Sequence, residues 1–118
     1  MCLLPLTQDT EKLLDGARLS RLPRGAYLVN VARGALVVDA ELIALLDNSH
    51  LAGATLDVFV DEPLPAGHPF WHHPRVVLTP HVSAVTLVEE SVAQIAAKIR
   101  QLEAGLPITG IVLRQRGY

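Results

Sequence analysis

Two nearly continuous apolar segments, separated by one amphipathic segment, restrict the possible folds of this chain most strongly. The segments 26–31 and 53–59 are apolar almost throughout, which is typical of strands that helices cover on both faces. Between them, Asp39 is a good N-cap for a helix that ends near Asn48 and carries apolar residues at helical spacing. Strand, helix and strand at this spacing predict a βαβ unit with a parallel sheet.

A third strand is predicted at 76–79. Pro80 has no backbone donor and a fixed φ, so this strand cannot continue past Thr79. The segment 3–4 has the composition of the end of a further buried strand, which stops at Pro5. We therefore expect a parallel sheet of about four strands. In chain order, the predicted strands end at Leu4, Val31, Phe59 and Thr79.

Two further helices are predicted outside the βαβ unit. The segment 12–22 has a weak helical pattern that Gly16 interrupts. The segment 86–89 matches a capping box, apolar residues follow it at intervals of four and three, and Gly105 and Pro107 end the helix. The single apolar stripe of this last helix needs a partner surface. The stripe consists of Val88, Val92, Ile95, Ile99 and Leu102.

The segment between the second and third strands is rich in proline and has no helical or strand pattern. A stretch of this length inside a compact domain is usually functional or forms a lid. We expect Phe70 and Trp71 to bury their rings and hold this loop in place.

Composition excludes several classes of protein. The length of 118 residues predicts one domain, which is small for a complete enzyme, and the formal charge of −2 gives no reason to expect nucleic acid or an anionic membrane as a partner. No apolar run approaches the roughly 20 residues of a membrane span, and the first residues lack the basic region of a signal peptide. The single cysteine, Cys2, excludes a disulfide framework and suits a reducing compartment, so we expect a cytoplasmic protein.

An arginine, a carboxylate and a histidine follow three successive predicted strands. They are Arg33, Glu62 and His81. The carboxyl ends of parallel strands meet at one edge of a sheet, where ligands bind, so we expect the three side chains to converge. Taken singly, each residue has a simpler interpretation. Arg33 could be an arginine in a turn, Glu62 a solvated acid and His81 a structural histidine.

Together these three side chains have a plausible chemistry. The guanidinium of Arg33 could bind a carboxylate bidentately. If Glu62 lies within hydrogen-bond distance of His81, roughly 2.6–3.2 Å, it would stabilise the imidazolium. His81 could then act as a general acid that protonates a carbonyl oxygen as a hydride arrives.

Metal and nucleophile chemistry are less well supported. Asp61 and Glu62 are in reach of the candidate histidines by sequence, but these histidines show no HExxH spacing, and all except His81 lie in the irregular proline-rich loop, so we expect no metal site. Nothing near Cys2 would activate its thiol as a nucleophile. Ser83 lacks the glycines of a nucleophile elbow, so Ser83 is better interpreted as a turn residue or ligand donor. The histidines considered as metal ligands are His68, His72, His73 and His81.

Four ordered motifs carry a resemblance to a known family. They are LPLT at 4–7, VNVARG at 29–34, LDVF with EP at 56–63, and TPHVS at 79–83. Through nearly its whole length the chain resembles the D-isomer-specific 2-hydroxyacid dehydrogenases. The segments 68–76 and 116–118 are most similar to the glyoxylate/hydroxypyruvate reductase A branch of that family.

The resemblance implies an α/β fold that is the C-terminal half of a Rossmann-type NAD(P)-binding domain, with flanking helices. It implies reduction of a small 2-oxo acid, glyoxylate or hydroxypyruvate, in a homodimer that uses NAD(P), with NADPH slightly favoured. Arg33 would orient the substrate, His81 would transfer the proton, Glu62 would pair with His81, and Asp57 would lie near the nicotinamide. The implied cofactor-binding residues are Pro5, Thr7, Val31, Ala32, Arg33, Asp57, His81, Ser83 and Ala84.

One family feature has no counterpart here, because no G-x-G-x-x-G motif follows a strand. The chain 1–118 therefore resembles a partial dinucleotide-binding domain whose last helix and tail, at 108–113, would pack on an absent substrate domain. Two interpretations follow. In one, the chain is part of an oxidoreductase whose remainder lies elsewhere; in the other, it is a truncated, catalytically silent half-domain that acts as a fold or interaction module.

Overall fold

The computed structural model describes residues 1–115 and divides them into two units. The first unit is Met1–Ser83, and the second begins at Ala84. The segment 116–118, which contributed to the resemblance, lies outside the described residues. The first unit contains helix α1 (Gly16–Leu19), strand β1 (Ala26–Asn30), a 3₁₀ helix (Gly34–Leu36), helix α2 (Asp39–Asp47), strand β2 (Leu51–Leu56), a second 3₁₀ helix (Pro69–His72) and strand β3 (Val76–Leu78).

The described part of the chain contains one sheet of three strands in the order β1-β2-β3, and both strand pairs are parallel. The predicted βαβ unit and parallel sheet are therefore confirmed. The prediction of a fourth strand ending at Leu4 is wrong, because Cys2 makes only an isolated bridge to Asn30. The side chains of Leu3 and Leu4 are exposed rather than covered, and Pro5 cannot extend the ladder.

Two details of the predicted helices are also wrong. The segment 12–22 forms only the short helix α1, because Lys12 has a φ of 53°, which no α-helix can contain. Asp15 is the N-cap of that helix, and its carboxylate accepts a hydrogen bond from the backbone N–H of Arg18 at 2.7 Å. Asp39 does not cap α2, because Val38 occupies the N-cap and Asp39 is the first helical residue. Its carboxylate lies 3.4 Å from Nε2 of His68 instead.

Apolar residues of α2 and the sheet form the main core of the first unit. The ring of Phe70 is 2% exposed and belongs to this core, as predicted, so it anchors the proline-rich loop. The prediction that Trp71 is buried is wrong: the side chain is 50% exposed, and its indole N–H donates to the carbonyl of Pro65 at 2.9 Å. The other fully buried core residues include Leu19, Leu42, Leu46, Leu51, Ala54 and Leu56.

Gly34 lies where the turn after β1 presses against the chain that follows β2. A Cβ atom at this position would lie 2.0 Å from the carbonyl carbon of Phe59 and 2.4 Å from the backbone nitrogen of Val60. The close approach of two backbones therefore requires glycine, and it holds Arg33 near the chain that leads to Glu62.

Gly34→Ala is expected to lower the free energy of unfolding by about 1–3 kcal/mol or more, because the added methyl forces two backbone segments apart. Urea denaturation of the 118-residue chain measures this effect. Gly67→Ala is the matched control, since a Cβ there meets nothing within 4 Å. Equal stability of the two variants would contradict the proposed backbone contact.

The second unit contains helix α3, Val88–Glu103. The predicted capping box is wrong, because Leu87 is the N-cap and makes no side-chain cap, but Glu89 and Glu90 lie in the first turn as expected. Gly105, with a φ of 68°, follows the helix as predicted. Within the described residues, α3 has no buried side chain, and no helix is long and apolar enough to cross a membrane.

Candidate active site

The turn after β1 is held by Asn30, which is 1% exposed. Its side-chain amide donates to the carbonyl of Arg33 at 3.0 Å and accepts from the backbone N–H of Ala32 at 3.1 Å. Asn30 therefore caps this turn from its buried position. The guanidinium of Arg33 donates from Nη1 to the carbonyl of Ala32 at 2.6 Å, so the side chain is held beside its own turn.

Glu62 joins the loop after β2 to the histidine that follows β3. One carboxylate oxygen accepts a hydrogen bond from the backbone N–H of Phe59 at 2.9 Å. The other lies 2.8 Å from Nδ1 of His81, so the predicted hydrogen bond between Glu62 and His81 is present. The carboxylate is therefore fixed by its own loop at one oxygen and oriented toward the imidazole at the other.

These contacts change the ionisation of Glu62. The hydrogen bond from His81 and the backbone donor of Phe59 hold the pKa of the Glu62 carboxyl below its ordinary value of 4.5, against the opposing effect of burial. The charges of His81 and Arg33 act in the same direction. Glu62 is consequently an anion near neutral pH and can stabilise a protonated imidazole.

Replacing Glu62 by glutamine is expected to give a stability difference that depends on pH. Because the pKa of Glu62 is lower in the folded than in the unfolded chain, the ionised carboxylate contributes stability above about pH 4.5, and this is lost as pH falls through the lower folded value. Urea denaturation of both proteins across acidic pH measures the difference. Glu11→Gln, which removes an exposed carboxylate of the same unit, is the control, and parallel profiles for both variants would contradict the expectation.

The backbone around His81 is unusual. His81 has a φ of 55°, in the left-handed region that few residues other than glycine adopt. Residues on both sides of it bind Asp57, which is fully buried. Its carboxylate accepts hydrogen bonds from the hydroxyls of Thr79 and Ser83 and from the backbone N–H groups of Val82 and Ser83.

Burial alone would raise the pKa of Asp57, but the donors of Ser83, Thr79 and Val82 outweigh it and hold that pKa well below its ordinary value. The sequence did not reveal this arrangement. The only available signal was the pair of hydroxyl residues, Thr79 and Ser83, that flank the histidine, together with an aspartate directly after a buried strand.

Arg33, Glu62 and His81 line a single cavity of about 390 Å³. A second cavity of about 520 Å³ also touches Glu62 and His81 and is lined mainly by apolar residues, among them Trp71. The predicted convergence of the three residues is therefore present. A cation, an anion and an imidazole around one cavity can bind a small carboxylate and exchange a proton with it.

The other residues assigned to the cofactor have varied surroundings. Ala32 is buried, whereas Val31 is only half-buried. The hydroxyl of Thr7 lies 3.1 Å from that of Thr10, which also donates to the carbonyl of Pro5 at 2.7 Å. Ser83 already donates twice to Asp57. Ala84 is the first residue of the second unit.

Two of the histidines considered as metal ligands instead face acids of α2. Nε2 of His68 lies 3.4 Å from Asp39, and Nε2 of His73 lies 3.3 Å from Asp47. These contacts hold the proline-rich loop against the helix. In residues 1–115, no group of three or more His, Cys, Asp or Glu side chains could hold a metal ion.

Residues 1–83 match the family described as D-isomer specific 2-hydroxyacid dehydrogenase, NAD binding domain. Glyoxylate/hydroxypyruvate reductase A of Salmonella newport is 51% identical over 116 residues, which cover 98% of this chain but only 37% of that relative.

Two solved structures are also similar. A D-isomer specific 2-hydroxyacid dehydrogenase from Xanthobacter autotrophicus Py2, in complex with NADPH and MES, has a TM-score of 0.93 and 47% identity, over 98% of this chain and 48% of that one. The NADPH-dependent glyoxylate/hydroxypyruvate reductase of Sinorhizobium meliloti, in complex with NADP and sulfate, has a TM-score of 0.92 and 39% identity, over 98% and 38%.

Proposed function

This chain belongs to the D-isomer specific 2-hydroxyacid dehydrogenases, and from that membership we propose that it carries the catalytic residues of an NAD(P)-dependent reductase. The substrate is a small 2-oxo acid, glyoxylate or hydroxypyruvate, which is reduced to the 2-hydroxy acid. The observation that carries the proposal is the convergence of Arg33, Glu62 and His81 on one cavity. The names of the Salmonella and Sinorhizobium relatives support the choice of substrate.

Arg33 binds the substrate carboxylate and orients its carbonyl. A guanidinium presents a planar set of donors that matches a carboxylate bidentately, which an ammonium cannot reproduce. Asn30 holds the backbone of this turn from within the core, so the position of Arg33 does not depend on a flexible loop.

His81 donates the proton to the carbonyl oxygen. Its Nδ1 is directed at Glu62, which leaves Nε2 to face the substrate as the acidic N–H. The Glu62 carboxylate stabilises the imidazolium and is itself held by the backbone of Phe59. Proton transfer to the carbonyl oxygen accompanies the arrival of hydride at the carbonyl carbon.

NAD(P) supplies the hydride when bound, and the NADPH and NADP in the two similar structures favour the phosphorylated form. The residues of this chain fit the nicotinamide end of the cofactor, where Val31, Ala32 and Ser83 would lie beside Arg33 and His81. The polar groups of Thr7 and Ser83 already have partners, and no glycine-rich turn is present for the pyrophosphate. The remaining proposed contacts are Pro5, Thr7 and Ala84, whereas Asp57 would lie near the nicotinamide.

We propose that the active enzyme is a cytoplasmic homodimer in which this chain forms part of the dinucleotide-binding domain. The chain spans 37% of the length of the Salmonella relative. The exposed apolar stripe of α3 and the tail at 108–113 are proposed to pack on a substrate-binding domain outside this chain. The buried free thiol of Cys2 suits a reducing compartment.

A catalytically silent half-domain is the second candidate, because these 118 residues contain no glycine-rich phosphate-binding turn. The two candidate functions differ in whether Arg33 and His81 can catalyse reduction of a 2-oxo acid once a complete cofactor site is supplied.

A chimera distinguishes them. In this reductase chimera, the matching segment of the Salmonella reductase is replaced by residues of this chain, over the 116 residues that align. We expect NADPH oxidation that depends on glyoxylate or hydroxypyruvate. A folded chimera that binds NADPH but reduces neither acid would support the silent module instead.

A further inference from the structure

Asp57 makes an unusually complete set of hydrogen bonds around the candidate proton donor. It is 0% exposed and lies directly after β2. One carboxylate oxygen accepts from the Thr79 hydroxyl and from the N–H of Val82 at 3.0 Å. The other accepts from the N–H and the hydroxyl of Ser83, at 3.0 and 2.5 Å. The donors thus lie on both sides of His81.

These four bonds use the hydrogen-bonding capacity of the carboxylate. An ionised carboxylate offers about four lone-pair sites, and here each oxygen already accepts two donors. A direct contact from the nicotinamide to Asp57 would have to displace one of them. The observed hydrogen bonds therefore favour a role in which Asp57 holds the turn 79–83 of its own chain.

The turn needs such a constraint. His81 has a φ of 55°, and a non-glycine residue keeps a sparsely populated conformation only when its surroundings fix it. The N–H of Thr79 also donates to the carbonyl of Leu56 at 3.1 Å. Two adjacent residues of one segment, Leu56 and Asp57, thus hold the chain before His81, and Asp57 also holds the chain after it.

We propose that Asp57 is a positioning residue that fixes the turn 79–83 and so directs the imidazole of His81 toward Glu62. This inference rests on the proposed function for its catalytic consequence, but its structural part concerns only the 118-residue chain. Asp57 acts through His81 and does not touch the substrate.

The test compares three variants by NMR of the 118-residue chain. Asp57→Asn replaces one of the two acceptor oxygens by an NH2 donor, which opposes the backbone N–H of either Val82 or Ser83. Ser83→Ala removes one donor but keeps its backbone N–H, and it serves if Asp57→Asn does not fold. Asp61→Asn, which removes an exposed charge from the neighbouring loop, is the control. The readout is the imidazole ¹⁵N signals of His81, which report the bond from Nδ1 to Glu62.

In Asp57→Asn, we expect the His81 signals to lose the signature of a hydrogen-bonded Nδ1. Ser83→Ala should shift the His81 signals in the same direction, and Asp61→Asn should leave them unchanged. The amide spectrum of the core should persist. Unchanged His81 signals in the folded Asp57 or Ser83 variants would overturn the proposal.

The reductase chimera supplies a second readout. A misplaced acid costs catalysis rather than binding, so Asp57→Asn should lower kcat about 10²-fold with little change in the KM for NADPH. A raised KM with unchanged kcat would overturn the proposal and indicate a direct nicotinamide contact. Failure of the proposed function would give a different result. The chimera would then be inactive even with Asp57 intact, while the NMR effect of the Asp57 variant would still be observed.

Discussion

The isolated 118-residue chain is expected to reduce hydroxypyruvate about 10⁵-fold more slowly than the reductase chimera, or slower still. Without a glycine-rich turn, no helix N-terminus in the chain receives the pyrophosphate, so the nicotinamide is not held against Arg33 and His81. Loss of this proximity can forfeit on the order of 7–11 kcal/mol of barrier lowering. The loss of NADPH absorbance at equal protein concentration measures both rates.

A control is needed to separate loss of the cofactor site from loss of the fold. The amide NMR spectrum of the isolated chain should show the parallel sheet and the bond between Glu62 and His81. Adding the N-terminal part of the Salmonella reductase should restore some activity if the three residues are intact. Rapid reduction by the isolated chain that depends on His81 would show that the glycine-rich turn is dispensable.

In the reductase chimera, His81→Asn is expected to lower kcat by roughly 10²–10⁴-fold, the usual contribution of general acid catalysis. Asparagine can occupy a left-handed backbone, so it preserves the turn while it removes the acid. The KM for the 2-oxo acid should change much less, because Arg33 still binds the carboxylate. Steady-state kinetics with glyoxylate and hydroxypyruvate measure both constants.

His72→Asn is the matched control, since it makes the same replacement at an exposed histidine of the proline-rich loop. It should retain the kcat of the unmodified chimera. A His81→Asn chimera with nearly full activity would rule out His81 as the proton donor and leave Glu62 without the role assigned to it.

The strands were predictable because an apolar composition marks 26–31 and 53–59, and both segments contribute parallel strands. The expected cover on both faces is wrong for β1, where Tyr27 is 49% exposed, and β2 ends at Leu56 rather than at Phe59. The segment 3–4 carries the same signal yet is not a strand, and the neighbouring Cys2 forms an isolated bridge to Asn30. Composition cannot distinguish a paired strand from an extended segment whose side chains face solvent. Helix ends were equally uncertain, since Asp39 has the chemistry of a cap but pairs with His68, a contact distant in sequence.

The site was predictable to the extent that strand order determines it. Arg33, Glu62 and His81 each follow a strand, and parallel strands bring their ends together. The full set of hydrogen bonds that the Asp57 carboxylate accepts was not predictable, because these bonds depend on how residues 79–83 turn after Pro80. Nor was the exposure of Trp71, because composition does not show that Phe70 is the one ring of this pair that enters the core.

The most direct test of the central claim is to follow the reducing hydrogen itself. The reductase chimera is given hydroxypyruvate and NADPH that carries deuterium at both C4 positions of the nicotinamide, and the glycerate is examined by mass spectrometry and chiral chromatography. We predict D-glycerate with one deuterium at C2, formed by the unmodified chimera and almost absent with His81→Asn. A folded, NADPH-binding chimera that yields no deuterated glycerate would contradict the account, and so would equal yields with and without His81.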